Sequence, residues 1–188
     1  MGRLAYLLGT ALMAFTLPVA AEQRVVCTLA VEIGASEPLI QEGSCDEHIS
    51  PASTFKIPIS LMAYDNGVFT VADQPEWQFQ EGYADWNPAW REATTPERWM
   101  RLSVVWFSQE ATKQIGDAQF AKYVEDFDYG NQDLSGDAGK ANGLTNAWLS
   151  SSLQISPAEQ VRFLTRMVEG DLPVAPSAVE ETKNLLEF

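Results

Sequence analysis

The chain has 188 residues, with 12 Lys and Arg against 26 Asp and Glu, and a formal net charge of −14 with its single histidine neutral. So acidic a chain is a poor fit for nucleic acid or an anionic membrane surface by charge alone. One histidine and two cysteines offer no zinc-type spacing, so no metal site is expected, and His48 would have to be the base of any Ser-His-Asp triad.

The first residues run from one basic residue, Arg3, through the apolar stretch Leu4 to Leu17, then Pro18, Val19, Ala20 and Ala21. This is the pattern of a secretory signal peptide cut after Ala21, because the apolar run is shorter than the roughly 20 residues a spanning helix needs. Residues 1–21 are therefore expected to be removed on export to the periplasm. The remainder, 22–188, reads as one domain with no stable membrane association. Cys27 and Cys45 both survive cleavage; they form either a disulfide in an oxidising compartment or two half-buried thiols.

Val25 to Ile33 and Leu39 to Ser44 alternate or are β-branched and are separated by Gly-Ala-Ser. They predict an antiparallel hairpin centred near Ala35 and Ser36, with the two cysteines opposite each other. After residue 50 the pattern is largely helical. A first helix runs from about Ser53 to Tyr64 and stops at Asp65-Asn66-Gly67, with Pro58 tolerated near its first turn. Residues 73–93 carry Trp77, Phe79, Tyr83, Trp86 and Trp90 among turn formers and read as a loop packed by aromatics. Thr95-Pro96 opens the next helix as cap and first residue, and Asp117 is expected to cap another reaching Asp126. Ser156-Pro157-Ala158-Glu159 is a capping box before a helix ending at Gly170, and Ser177 to Glu180 reads as a second box. A hairpin followed by helices makes an α+β domain, and two strands alone are marginal in water.

Ser53 and Lys56, three residues apart at a helix start, lie on one face, so the amine can reach the hydroxyl and serve as its base. The same spacing also suits a plain helix-start serine with an exposed lysine one turn on. Ser103, inside Leu102-Ser103-Val104-Val105-Trp106-Phe107, supplies a second hydroxyl able to relay a proton. Tyr129-Gly130-Asn131 is a tight-turn tripeptide, and Trp148-Leu149 offers an indole N–H beside apolar surface.

Ser53-Thr54-Phe55-Lys56, Ser103-Val104-Val105, Tyr129-Gly130-Asn131 and Trp148-Leu149, in this order and near these intervals, resemble the class D serine β-lactamases, the oxacillinases. The resemblance extends from the hairpin to Phe188 and is most distinctive over Phe127–Asp133 and Trp148–Leu153. It implies a serine β-lactamase and penicillin-binding transpeptidase-like fold, with β-lactam antibiotics as substrates. Ser53 would be the nucleophile and would supply one oxyanion N–H. Lys56 would carry CO₂ as a carbamate, the only cofactor implied, within a pocket of Phe55, Val105, Trp148 and Leu149. Ser103 would return the proton to the leaving nitrogen, and Tyr129, Gly130 and Asn131 would form wall and scaffold.

One feature of the family pattern is missing. None of Lys56, Lys113, Lys122, Lys140 or Lys183 is followed by Thr-Gly or Ser-Gly, the motif that holds the antibiotic carboxylate on a sheet strand. The chain is therefore expected to be the N-terminal two-thirds of an oxacillinase, lacking the C-terminal strands and inactive by itself. The resemblance also admits a β-lactam-binding sensor domain that is acylated without turnover. The signal peptide directly before the hairpin favours the free enzyme over a sensor or a membrane-anchored transpeptidase. No signal for an oligomeric state is present.

Overall fold

The computed structural model describes residues 26–35 and 37–187, so the expected signal peptide lies outside the described residues. Strands β1 (Cys27–Ala30) and β2 (Ile40–Gly43) pair antiparallel with Cys27 opposite Gly43 and Ala30 opposite Ile40. They are shorter than the alternation predicts. Cys45 is not Cys27's register partner; it lies two residues beyond β2 and reaches back to form a disulfide with Cys27, the Cα atoms 5.0 Å apart.

A 3-10 turn over Ala52–Phe55 leads into α1 (Lys56–Asp65), in which Pro58 is the third residue. There it removes an N–H that has no intrahelical acceptor anyway. Then come α2 (Pro96–Leu102), α3 (Val105–Ile115), α4 (Asp117–Asp126), the short α5 (Gly143–Asn146), α6 (Pro157–Glu169) and α7 (Pro176–Leu186). Among the described residues no helix is long and apolar enough to cross a membrane.

The local caps at Thr95 and Ser156 form as expected. Thr95 Oγ1 accepts from Arg98 N–H at 3.3 Å, and Ser156 and Glu159 complete a capping box before α6, which ends on Gly170 in the left-handed region. Two expected caps do not form. Asp117 is the first residue of α4, with Gly116 ahead of it, and its charge there suits the helix dipole instead. Helix α7 begins at Pro176, so Ser177 lies inside it; the Ala175 N–H is taken by Asp65 Oδ1 at 2.6 Å, a carboxylate arriving from the end of α1.

Helix α1 runs through the middle of the molecule, burying Pro58, Ile59, Ser60, Leu61, Met62 and Ala63 between α3 and α7. Its buried Ser60 Oγ is satisfied by Thr182 Oγ1 of α7 at 2.9 Å. The 73–93 loop is packed by its aromatics, with Trp77 4.6 Å from Phe107 and Tyr83 stacked on Trp106 at 5.2 Å. Trp86 is the exception at 71% exposed.

Candidate active site

Three pieces of chain meet around the start of α1: the 3-10 turn itself, the α2–α3 junction, and the loop between α5 and α6. A 3-10 turn has three residues per turn, so Ser53 and Lys56 stand one above the other. Ser53 is exposed and Phe55 fully buried. The turn is entered through Ala52 at φ 45°, a left-handed conformation that costs a non-glycine residue about 1–3 kcal/mol.

Lys56 does not turn its amine to Ser53. Nζ donates to Ser103 Oγ at 2.8 Å and to the Met100 carbonyl, and among the described residues no hydrogen bond joins it to the Ser53 hydroxyl. Ser103 caps the end of α2 in the left-handed region, φ 52° and ψ 48°, with its N–H on Trp99 O. The next carbonyl back, Leu102 O, accepts from Trp90 Nε1 at 3.0 Å, and Trp90 O accepts from Trp106 Nε1 at 2.8 Å. Two indoles thereby fix the backbone that offers Ser103 to the lysine.

Burial lowers the Lys56 ammonium from its ordinary 10.5 to about 8. No carboxylate contributes to that shift, so the cause is loss of hydration without compensating charge. At pH 7 about a tenth of the amine is then neutral, against roughly one part in three thousand for an exposed lysine. A neutral, half-buried amine is what CO₂ uptake as a carbamate requires, so the residues present fit that group.

The Phe55 ring stacks on Trp148 at 5.2 Å and meets Tyr129 edge-on at 5.2 Å and Phe120 at 6.0 Å. Val105 opens α3 two residues after Ser103 and is buried, while Leu149 is half-buried next to Trp148. Tyr129 is in the core, 0% exposed, its hydroxyl hydrogen-bonded with Gln160 Oε1 at 2.9 Å and its pKa pushed up by burial. It is scaffold, not a wall a ligand could reach. Gly130 has φ 56°, and a Cβ there would sit 2.0 Å from Gln154 O. Asn131 ties the same two segments together through Nδ2 to Ser152 O and Oδ1 to Gln154 N–H, both at 2.9 Å.

Sequence reasoning missed two contributors. The Met100 carbonyl is a backbone group with no residue signature. Ser50, at the site's edge, donates from Oγ to Trp148 O and accepts from Ser150 N–H, both at 2.9 Å, across about a hundred residues of sequence.

Residues 22–187 match the penicillin binding protein transpeptidase domain model. The chain belongs to that family. Within it, the chain groups with the class D serine β-lactamases, as β-lactamase relatives and a solved structure show. It is 43% identical to β-lactamase OXA-9 of Klebsiella pneumoniae over 158 residues, 82% of this chain and 57% of OXA-9. It is also 43% identical to β-lactamase OXA-1 of Escherichia coli over 159 residues, 83% of this chain and 56% of OXA-1. The crystal structure of the OXA-427 class D β-lactamase superposes with a TM-score of 0.82 at 49% identity, covering 85% of this chain and 66% of that one. The chain thus spans little more than half the length of the curated relatives it matches. The described residues hold the helical part of that fold and a two-stranded sheet.

Proposed function

We propose that these residues supply the nucleophile, base and proton relay for hydrolysis of β-lactam antibiotics of the penicillin and oxacillin type through an acyl-enzyme on Ser53, an activity that confers resistance where the carboxylate anchor and second oxyanion donor are also supplied. The observation that carries the reading is the Lys56–Ser103 contact at 2.8 Å beside an exposed Ser53, with the lysine brought to about 8 by burial. Export to the periplasm belongs to the same proposal; the Cys27–Cys45 disulfide supports an oxidising compartment.

Ser53 Oγ attacks the lactam carbonyl carbon and gives up its proton at the Lys56 position. The Ser53 N–H faces the developing oxyanion from the start of the helix. The C–N bond breaks, and the departing nitrogen takes a proton through Ser103 Oγ, the partner of the lysine. Water then attacks the Ser53 ester carbonyl and gives a proton to the same basic position, which passes it on to Ser53 Oγ as the ester C–O bond breaks and the opened antibiotic leaves with its new carboxyl group. Bound as a carbamate, CO₂ would supply a base at Lys56 that stays anionic at neutral pH. The core aromatics Phe55 and Trp148, with Val105 and Leu149 beside them, keep water from hydrating the amine.

No lysine of the sequence is followed by Thr-Gly or Ser-Gly, the motif that by the resemblance would anchor the antibiotic carboxylate and line the second side of the oxyanion hole. One oxyanion donor is worth roughly 2.7–4 kcal/mol in the transition state. The 188-residue chain alone is therefore proposed to turn over below detection. The test uses the chain fused to the part of OXA-9 that the match leaves uncovered. Expected are one penicillin mass on the Ser53 peptide, turnover raised by bicarbonate, and no turnover in Lys56→Ala. Undiminished hydrolysis in Lys56→Ala would refute the lysine's role, and an adduct that persists without release would point to a binding module instead.

A further inference from the structure

Ser50 lies outside the catalytic set, yet its hydroxyl bridges two strained points of the backbone. On one side Ala52 is held at φ 45°, immediately before the nucleophile; on the other Ser150 is held at φ 55°, immediately after Trp148-Leu149. Conformations of this kind persist only where surrounding contacts over-determine them. Here the contacts converge on one carbonyl. Trp148 O accepts both the Ala52 N–H, at 3.0 Å, and the Ser50 hydroxyl, at 2.9 Å, while the same Ser50 oxygen accepts the Ser150 N–H at 2.9 Å. A little further out, Ile49 and Ile155 exchange two backbone hydrogen bonds at 3.1 and 2.9 Å, closing the other end of the seam.

We propose that Ser50 is a positioning residue, whose hydroxyl fixes the Trp148-Leu149 segment against the Ser53–Lys56 turn in the register that the chemistry needs. The inference rests on the reading of Ser53 as nucleophile. An alanine at 50 leaves Trp148 O its bond from Ala52, but removes the second donor and the acceptor of the Ser150 N–H. Ser150 is exposed, so that N–H turns to water at little cost in stability. What is lost is the constraint on both left-handed residues, and with it the placement of Ser53. Small misplacements of a reacting group are costly in rate, up to about a hundredfold for 1 Å. Threonine keeps the hydroxyl, and its β-branch suits the extended backbone that Pro51 imposes on residue 50.

The experiment takes the full chain fused to the part of OXA-9 that the match leaves uncovered, as wild type, Ser50→Ala and Ser50→Thr. It follows amide hydrogen exchange and the rate at which a fluorescent penicillin labels Ser53. In Ser50→Ala, the Ala52 and Ser150 amides should exchange at least about tenfold faster while those of α6 are unchanged, and labelling should slow by about tenfold or more. Ser50→Thr should restore both. Should the alanine variant lose its global melt, Ser50→Cys, which keeps the size but hydrogen-bonds weakly, replaces it. Unchanged Ala52 exchange, unchanged labelling in a variant that exchanges faster, or a failure of threonine to rescue a folded chain each overturns the inference alone. Absence of any Ser53 adduct in the wild type overturns the nucleophile reading, and the positioning role with it.

Discussion

Replacing Lys56 by methionine should erase a pH dependence that the buried amine builds into stability. Burial holds the folded-state pKa at about 8 against an ordinary 10.5. Between those values the unfolded chain binds the proton that the folded one has given up, so stability rises with pH. At pH 7 both states are largely protonated and the fold bears most of the cost of a poorly hydrated ammonium. At pH 9.5 the folded amine is neutral and most of that cost is gone. Integrating between pH 7 and 9.5 gives an upper limit of about 2 kcal/mol in favour of the higher pH. Lys56 is half-buried, and screening of its exposed part brings the expectation to about 1 kcal/mol. Tyr64, Tyr123 and Tyr129, all raised by burial, contribute stability that is lost above pH 10, but they are common to both proteins and cancel in the difference. The assay is urea denaturation at both pH values in CO₂-free buffer, for wild type and Lys56→Met. Wild type should gain about 1 kcal/mol more than the variant on going to pH 9.5. Parallel pH profiles would show that the amine is not desolvated, and the argument for a neutral, carboxylatable lysine would fall with it.

Gly130→Ala should destabilise the fold by more than about 3 kcal/mol in chemical denaturation, because it combines a left-handed residue with a Cβ placed 2.0 Å from Gln154 O on a rigid backbone. A variant that melts like wild type would mean that the 129–131 and 152–155 segments separate freely. Removing the disulfide with Cys27→Ser and Cys45→Ser frees a loop with a sequence separation of 18. The expected loss is about 3 kcal/mol, measured by the same denaturation in oxidised and reduced samples. Equal stability in both would show that the hairpin is not coupled to the helical core.

Features of the chain written within four residues could be read from sequence, and those written across a hundred could not. The Thr95 cap and the Ser156–Glu159 box are i to i+3 events, so their residue types declare them. Ser177 carried the same local signature and was misleading, because Asp65, 110 residues earlier, satisfies the Ala175 N–H instead. Phe120, Tyr123, Val124 and Phe127 announced a buried helix face by their spacing, and all four are buried. Trp86 looked like its neighbouring aromatics in composition, yet it faces outward. In the site, the Ser53–Lys56 spacing and the Ser103 hydroxyl were legible, while the choice of Ser103 and Met100 O over Ser53 as the amine's partners was not. A backbone carbonyl has no letter in the sequence, and neither Ala52, Ser103 nor Ser150 signals a left-handed conformation by being glycine.

Those three residues say how the site is made. One stands before the proposed nucleophile, one is itself the proposed proton relay, and one follows the Trp148-Leu149 pair, and each would cost about 1–3 kcal/mol if nothing held it. What holds them comes from different parts of the core. Trp148 O and Ser50 anchor Ala52 and Ser150, while Trp90 and Trp106 lock the Leu102–Ser103 backbone. Phe55 joins the pieces, since its ring touches Trp148, Phe120 and Tyr129 while its backbone links the serine turn to the lysine. The reactive groups therefore have little freedom to relax independently. Loosening any one anchor should shift the serine, the amine or the relay relative to the other two, and the chemistry should fail before the fold does.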